Sequence, residues 1–222
     1  MQRKNRKLKW SQFGVPISTC FDDPYYSLNN GLAETRYVFL NGNNLPKRFC
    51  PNFHIAELGF GTGLNFLATL AAWQNSKTCG QLYFTSFEAF PLTVDIMKKA
   101  LSLFPELSTL SNLLLDQWHP DKRYFEFDSV SLNVIIGDAR QTIPLWKGIV
   151  DAWYLDGFLP AKNPQLWELD LIKHVFQKTK SGGTFATYSA AGFVKRNLKI
   201  AGFKIEICPG YGKKRHMILG QK

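Results

Sequence analysis

The sequence predicts an α/β fold in which helices cover both faces of a doubly wound, mainly parallel sheet. Six apolar segments have the length of β-strands, and helical patterns lie between most of them. The strand segments are FHIAEL, QLYFTSF, SLNVIIG, VDAWYLD, GTFATYS and FKIEIC. Because parallel strands need long, right-handed crossover connections, this alternation favours a parallel sheet with its helices on the outside.

The crossover helices are predicted from apolar spacing and from residues that start or stop helices. Residues 64–74 are apolar and free of Gly and Pro, and residues 92–104 repeat apolar side chains at helical spacing. A third helix should begin at Asn163 and Pro164, where Asn can cap and Pro suits the first turn, and it should end before Gly182 and Gly183. Residues 190–201 are expected to form a fourth helix.

Both ends of the pattern are expected to depart from strict alternation. RYFEFDSVSLNVII contains two strand-like halves about a short turn, which predicts a hairpin, and HMILG should return as an antiparallel strand at the sheet edge. The amino-terminal residues are irregular in pattern. We therefore expect one domain over residues 1–222, in which residues 1–52 cap the carboxyl ends of the strands and residues 53–222 form the core.

The composition favours a soluble protein with a polyanionic partner. The 222 residues include 27 basic and 17 acidic side chains, a formal net charge of +10, which favours nucleic acid. No apolar run approaches the roughly 20 residues needed to cross a bilayer, and nothing resembles a secretory signal, so we expect a cytoplasmic protein without a membrane partner. The four cysteines form no C-x-x-C pair, so neither a zinc site nor a disulfide framework is indicated.

A glycine-rich turn follows the first core strand and precedes the apolar helix at 64–74. It reads Glu57-Leu-Gly-Phe-Gly-Thr-Gly, and Gly59, Gly61 and Gly63 would let a ligand approach bare backbone at the start of the helix. The spacing differs from the dinucleotide fingerprint G-x-G-x-x-G. With the preceding Glu57 it is typical of Rossmann-like class I methyltransferases, which use S-adenosylmethionine. An ordinary strand-to-helix turn is the alternative, because short glycine motifs have limited specificity.

Three carboxylates follow other predicted strands and are expected to surround one crevice at the carboxyl ends of the sheet. Glu88 could accept the hydroxyls of an adenosine ribose, Asp138 could accept from an adenine amino group, and Asp156 would lie beside the glycine turn. Carboxylates and aromatic faces such as Phe158 favour both a sulfonium cofactor and an amine acceptor. The alternatives are a solvated carboxylate at Glu88, a helix cap at Asp138 and core positions for the aromatic residues.

Several segments resemble the methyltransferase motifs of the MnmC family. They are GLAETRYVFL at 31–40, ELGFGTGLNFL at 57–67, DGFLPAKNP at 156–164, AAGFVKR at 190–196 and GYGKKRHM at 210–217. The resemblance implies S-adenosylmethionine-dependent methylation of the 5-aminomethyl group of the wobble uridine in tRNA, giving 5-methylaminomethyl-(2-thio)uridine. We expect no counterpart of the FAD-dependent half of the family's two-domain members, so a separate enzyme would supply the aminomethyl uridine. The match is weaker over residues 113–128.

The resemblance and the motifs together give the site prediction. The catalytic residue is Asp156, which would hold the amine and receive its proton, as the matching Asp of the D-G-F motif does in the family. Cofactor contacts are expected from Glu57, Gly59, Gly61, Gly63, Asn65, Glu88, Asp138, Ala139 and Asp156. Substrate or RNA contacts are expected from Phe158, Lys162, Lys195, Arg196, Lys213, Lys214 and Arg215, and also from the amino-terminal Arg3, Lys4, Arg6, Lys7 and Lys9. Solvated surface charge is the alternative for each basic residue.

Two other functions remain open from the residues alone. A nicotinamide-dependent oxidoreductase is one, since an acidic residue after the second strand suits either adenosine cofactor. A noncatalytic RNA-binding domain is the other, although carboxylates around the crevice would repel phosphate. The four histidines show no metal-ligand spacing and no nucleophile turn G-x-S-x-G is present, so we expect no metal. We also expect a monomer.

Overall fold

The computed structural model describes residues 8–119 and 121–222 and contains a central sheet of eight strands and a smaller sheet of three. The strands are β1 (Leu8–Trp10), β2 (Pro16–Ser18), β3 (Asp23–Pro24), β4 (Phe53–Leu58), β5 (Leu82–Glu88), β6 (Tyr124–Phe127), β7 (Val130–Ile136), β8 (Val150–Tyr154), β9 (Thr179–Thr187), β10 (Lys204–Pro209) and β11 (His216–Gln221). The α-helices are α1 (Gly31–Thr35), α2 (Leu64–Ser76), α3 (Val94–Leu101), α4 (Ser108–Gln117), α5 (Ala139–Leu145), α6 (Leu169–Gln177) and α7 (Gly192–Ala201).

The central sheet has the order β10-β11-β9-β8-β4-β5-β7-β6. The five strands from β9 to β7 in this order are parallel, and β6, β11 and β10 join the sheet through antiparallel pairs. The chain order reverses at β4, which pairs with both β5 and β8. In such sheets, ligands bind outside the carboxyl ends of the strands at the point of reversal, and the glycine turn lies there.

Both faces of the sheet are covered, as the alternation of strands and helices predicts. Side chains of β4 alternate between two apolar clusters, with Phe53 and Ile55 in one and Ala56 and Leu58 in the other. The first cluster includes the α2 residue Phe66, and the second includes side chains from α6 and α7. Burial on both faces explains why the strand sequence is a continuous apolar run rather than an alternating one.

The predicted bounds of the third helix and of the strand that follows it are wrong. The third helix is split into a short 3-10 turn at Pro164–Trp167 and α6, and the following strand β9 begins at Thr179. Gly183 therefore lies inside a strand, where the pairing with β8 is irregular and a Cβ would meet Thr179 at 2.7 Å. Here glycine marks a bulge with no room for a side chain rather than a helix end.

The antiparallel return of the final segment is confirmed, but its position differs from the prediction. β11 pairs with β10 on one side and with β9 on the other, so β10 forms this edge of the sheet. The hairpin of β6 and β7 is confirmed. The helix α4 was not predicted, and the helix expected from residue 190 begins at Gly192.

The amino-terminal segment is more regular than its sequence suggests. β1, β2 and β3 form a small antiparallel sheet, and α1 leads directly into a π-helical turn at Arg36–Leu40. At β3 the chain contacts the segment that follows β8, because the buried Asp23 accepts a 2.8 Å hydrogen bond from the amide of Leu159. In the part of the chain that the structure describes, no helix is long and apolar enough to span a membrane.

Candidate active site

The glycine turn joins β4 to α2 and brings bare backbone close to two other segments. Gly59, Gly61 and Gly63 have φ angles of 82°, 53° and 82°, which residues with a Cβ rarely adopt. A Cβ on Gly61 would meet the ring of Tyr25 at 3.2 Å, and one on Gly59 would approach the Cα of Gly157 to 3.9 Å. The turn therefore lies between the amino-terminal segment and the end of β8, with its backbone facing the space between them.

Glu88 ends β5 beside this turn and is held by backbone amides. Its Oε2 accepts a 2.9 Å hydrogen bond from the amide of Gly61, and its Oε1 accepts one of 2.6 Å from the amide of Phe90. Only 8% of the residue is exposed, so Glu88 is not a solvated surface carboxylate. A carboxylate oxygen can accept further hydrogen bonds, so Glu88, at the carboxyl end of the sheet, is suited to accept them from the hydroxyl groups of a ligand.

A chain of hydrogen bonds runs from the sheet through Asn65, in the first turn of α2. The Nδ2 of Asn65 donates to Oε1 of Glu57 at 2.9 Å and to Oδ2 of Asp156 at 2.7 Å. Its Oδ1 accepts a 2.7 Å hydrogen bond from Thr35, and Ser86 donates to the other oxygen of Glu57 at 2.7 Å. Burial raises the pKa of Glu57 well above its usual range. Glu57 is 1% exposed, so it positions Asn65 rather than lining the crevice.

Asp156 follows β8 and is partly buried beside the glycine turn. Its Oδ1 accepts a 2.7 Å hydrogen bond from the amide of Gly157, in addition to the bond from Asn65. Burial raises the pKa of Asp156 to about 6, although both hydrogen bonds act in the opposite direction. The negative charge of Glu34 also raises this pKa, and the positive charge of Lys214 lowers it. Asp156 is thus a carboxylate whose protonation changes close to neutral pH.

Asp138 lies farther along the same edge, at the end of β7, and caps α5. Its Oδ1 accepts a 2.9 Å hydrogen bond from the amide of Arg140, whose side chain forms a 2.6 Å ion pair with it and lowers its pKa. The structure therefore shows the helix-cap alternative, and an adenine contact for Asp138 stays a prediction. Ala139 is the buried first residue of α5. The amide of Gly137 donates to the carbonyl of Glu88, which joins the two strand ends.

The D-G-F segment after β8 packs beneath the amino-terminal segment. The ring of Phe158 stacks on Phe21 with 4.6 Å between centroids and meets Tyr25 edge-on at 5.2 Å. The Nζ of Lys162 lies 2.9 Å from Oδ2 of Asp22. Phe158 therefore packs against the amino-terminal segment, and a substrate contact for it stays a prediction. The neighbouring aromatics Trp153 and Tyr154 are fully buried core residues, which is the alternative given for the aromatic residues.

Glu34 and Tyr188 also belong to this edge, although neither residue was predicted to have a role. The Nζ of Lys214 lies 2.7 Å from Oε1 of Glu34 and 3.9 Å from the centre of the Tyr188 ring. The Tyr188 hydroxyl donates a 2.6 Å hydrogen bond to the carbonyl of Gly157. Glu34 lies within the segment GLAETRYVFL, and the resemblance of this segment to the MnmC family is the sequence feature that could have indicated a role for Glu34. Lys214 is thus paired with Glu34, and an RNA contact for it stays a prediction.

The other basic residues that were predicted to contact RNA lie on several different elements or outside the described residues. Lys195 and Arg196 of α7 line a groove of about 340 Å³ between α7 and β10. Because β10 runs in the same direction as β9, the loop after it reaches the carboxyl ends of the strands, and Lys213 and Arg215 are exposed there. Lys9 lies in β1, whereas Arg3, Lys4, Arg6 and Lys7 lie outside the described residues. Within residues 8–119 and 121–222, no group of three His, Cys, Asp or Glu side chains could hold a metal ion.

Comparisons with known proteins match both the sequence and the fold. Residues 105–222 match a family described as S-adenosyl-L-methionine-dependent methyltransferase. The tRNA 5-methylaminomethyl-2-thiouridine biosynthesis bifunctional protein MnmC of Aeromonas hydrophila is 43% identical over 233 residues, which cover 97% of this chain and 35% of the relative. The protein of the same name from Hydrogenovibrio crunogenus is 44% identical over 229 residues, with 97% and 34% covered. The chain thus spans about a third of the length of these relatives.

The crystal structure of MNMC2 from Aquifex aeolicus superposes on the chain with a TM-score of 0.74 at 24% identity, covering 97% of this chain and 70% of that one. At this identity the likeness shows the fold. Together with the family match, it confirms the predicted Rossmann-like class I methyltransferase fold, with its mainly parallel sheet and antiparallel edge.

Proposed function

Because the chain belongs to a family of S-adenosyl-L-methionine-dependent methyltransferases, we propose that it methylates the 5-aminomethyl group of the wobble uridine in tRNA. The product would be 5-methylaminomethyl-(2-thio)uridine. The names of its relatives support this substrate, and so does the net charge of +10. The observation that carries the proposal is Asp156, a fixed carboxylate with a pKa raised to about 6 beside the glycine turn.

The residues of the crevice fit the cofactor of this family. The backbone at Gly59 and Gly61 has positive φ angles at which a larger side chain would be strained, and the lack of side chains leaves a surface that a ligand can approach closely. Glu88 would accept the ribose hydroxyls, and Asn65 lies at the start of α2 next to the same space. When bound there, S-adenosyl-L-methionine supplies an electrophilic methyl group on a sulfonium centre.

The role of Asp156 follows from the state of the acceptor. An alkylamine with a pKa near the lysine value of about 10.4 is mostly protonated at neutral pH, so its nitrogen lone pair must be released before it can form a bond to carbon. A carboxylate with a pKa near 6 is a better proton acceptor than an ordinary aspartate. Asp156 accepts a hydrogen bond from the ammonium group, receives a proton from it and keeps the nitrogen oriented, while fixed alignment supplies much of the acceleration.

The tRNA is held by charge outside the crevice. Lys195, Arg196, Lys213 and Arg215 surround the carboxyl ends of the strands, where they would contact phosphates and position the RNA. The carboxylates inside the crevice repel phosphate and favour a cationic group. A negative site within a basic rim thus suits an RNA that carries an amine on one base. On this proposal the protein acts in the cytoplasm, on tRNA whose aminomethyl group is already present.

The oxidoreductase alternative is wrong, because the family to which the chain belongs consists of methyltransferases. The noncatalytic alternative would predict RNA binding that does not respond to S-adenosyl-L-methionine.

The test is methyl transfer to defined RNA. The protein is incubated with S-adenosyl-L-methionine labelled in its methyl group and with tRNA from cells that lack the terminal modification, and nucleosides are then identified by mass spectrometry. We expect label only in 5-methylaminomethyl-(2-thio)uridine. Transcribed tRNA without the aminomethyl group is the matched control and should stay unlabelled. Label on another nucleoside, or equal label in both RNAs, would contradict the proposed substrate.

A further inference from the structure

Lys214 occupies a site with the features of an ammonium-binding site. Its Nζ contacts a carboxylate oxygen of Glu34 at 2.7 Å and lies 3.9 Å from the centre of the Tyr188 ring. A carboxylate binds an alkylammonium ion through charge-assisted hydrogen bonds, and an aromatic face attracts it through a cation–π interaction. The Glu34 side chain is only 11% exposed, whereas that of Lys214 is 38% exposed and enters from the surface loop between β10 and β11.

This ion pair lies near Asp156, since the charges of Glu34 and Lys214 both influence the pKa of that carboxyl group, and two hydrogen-bonded links connect the two sites. Thr35, the residue after Glu34, donates to Asn65 at 2.7 Å, and Asn65 donates to Asp156 at 2.7 Å. The Tyr188 hydroxyl donates at 2.6 Å to the carbonyl of the residue that follows Asp156. An ammonium group bound to Glu34 and Tyr188 is therefore next to the carboxylate that receives its proton.

We propose that Glu34 and the ring of Tyr188 bind the ammonium group of the substrate, and that the side chain of Lys214 fills this site until the substrate replaces it. The inference rests on the proposed function, since it concerns an amine acceptor. One ammonium leaves as another enters, so the charge of the crevice does not change during the exchange. Selectivity for amine-bearing RNA follows. An RNA without the amine cannot neutralise the negative charge of Glu34 after Lys214 has left the site.

The loop that carries Lys214 is open to solvent at Gly212. Gly212 has a φ of 59°, and a Cβ built there would meet nothing within 4 Å. The adjacent Lys213 and Arg215 are exposed. Phosphates bound by these two side chains would draw the loop outward, and this movement would withdraw Lys214 as the base enters.

The first experiment measures the preference of the protein for two anticodon stem-loops that differ only in the aminomethyl group of the wobble uridine. In Glu34→Gln we expect the ratio of the two Kd values to fall about tenfold, which corresponds to about 1.4 kcal/mol. In Lys214→Met we expect the ratio to rise, since the competing ammonium is removed. Glu106→Gln and Lys173→Met are matched controls, because both residues belong to exposed ion pairs away from the crevice, and they should keep the wild-type ratio.

A second measurement uses the wild-type protein and does not depend on the folding of a variant. The Lys214 methylene protons next to Nζ lie near an aromatic ring, so in protein labelled with ¹³C-lysine their resonance should be shifted by the ring current. Adding the nucleoside 5-aminomethyluridine should move this signal to the position of a solvated lysine, and uridine should not.

The outcomes separate the two proposals. The absence of methyl transfer to the stem-loop that carries the aminomethyl group would overturn the proposed function together with this inference, whereas transfer with equal Kd values for the two stem-loops in the wild-type protein would overturn only this inference. A clear wild-type preference that Glu34→Gln leaves intact, or a Lys214 signal that the amine does not move, would overturn this inference alone.

Discussion

Asn65 donates a 2.7 Å hydrogen bond to Asp156 and so joins the first turn of α2 to the segment after β8. The second hydrogen of the same amide group is bound to Glu57, and its oxygen accepts from Thr35. Both amide hydrogens and one lone pair of the Asn65 side chain are therefore used in fixing its neighbours. The orientation of Asp156 depends on a residue 91 positions away in the sequence.

Replacing Asn65 with Ala should move the pH dependence of methyl transfer. The hydrogen bond from Asn65 lowers the pKa of Asp156, so its loss should raise that pKa above about 6. Because the ionised form accepts the proton, the acidic limb of the pH–rate profile should move to higher pH. Asn75→Ala, an exposed position on the same helix, is the control. Identical acidic limbs in Asn65→Ala and the wild type would contradict the assigned role.

Replacing Asp156 with Asn should remove most of the activity and leave cofactor binding nearly unchanged. The amide has a similar size but cannot receive a proton, and general base catalysis contributes about 10²- to 10⁴-fold. Single-turnover methyl transfer measures the loss, and calorimetry with S-adenosyl-L-methionine measures binding. Asp170→Asn is a matched control, since Asp170 is an exposed residue of α6 paired with Lys173 at 3.5 Å. Full activity in Asp156→Asn would end the assignment of this residue.

The same substitution should change how stability depends on pH. The pKa of Asp156 is about 6 in the folded protein and 3.8 as its ordinary value, so between these pH values the folded state binds more protons than the unfolded state. The free energy of unfolding therefore decreases as pH rises through this range. Asp156→Asn lacks this decrease.

Relative to the wild type, the variant should thus gain stability between about pH 4 and pH 7, by at most about 3 kcal/mol. A loss of hydrogen bonds in the variant would shift its whole curve and leave this slope unaffected. Urea unfolding across this range measures the difference. If the free energies of unfolding of the wild type and of Asp156→Asn changed in parallel with pH, the pKa of Asp156 would not be raised in the folded protein.

The parts of the site that are local in sequence could be predicted. The glycine turn and Glu88 were both assigned from residue type and from their place at a strand end, because parallel strands bring their carboxyl ends to one edge. The burial of Glu57 beneath Asn65 could not be read in this way. Its side chain lies on the face of β4 that α2 covers. The spacing of the glycines does not indicate which carboxylates are buried beneath that helix.

The contacts of the amino-terminal segment could not be predicted for a different reason. Glu34 meets Lys214 across 180 positions of sequence, and neither residue lies in a segment whose periodicity indicates where it points. Similarly, Gly183 follows a helix in the sequence but serves a strand, because the close approach of Thr179 becomes visible only when β8 and β9 are paired. Local pattern fixes the type of most elements, whereas these contacts depend on tertiary packing.

Replacing Gly61 with Ala should weaken cofactor binding beyond its effect on stability. The backbone at this position has a φ of 53°, and the new Cβ would meet Tyr25 at 3.2 Å. Gly212→Ala is the matched control, because its φ of 59° imposes a similar strain with no neighbour within 4 Å. Both variants should lose about 1–2 kcal/mol of stability, but only Gly61→Ala should lose affinity for S-adenosyl-L-methionine, by about tenfold or 1.4 kcal/mol. Equal calorimetric affinities would show that the turn does not contact the cofactor.

Removing the charges of Lys195 and Arg196 together should reduce the salt dependence of tRNA binding. Each phosphate contact contributes about 0.7 to 0.9 to the slope of log K against log salt concentration, so the double Ala variant should lose about 1.4 to 1.8 if both contact phosphates. The double variant Lys98→Ala and Lys173→Ala removes the same charge from exposed positions on α3 and α6 and tests for a general effect of net charge. Equal slopes in the two double variants would show that the groove between α7 and β10 makes no phosphate contacts, because a nonspecific loss of two charges would then account for the whole change.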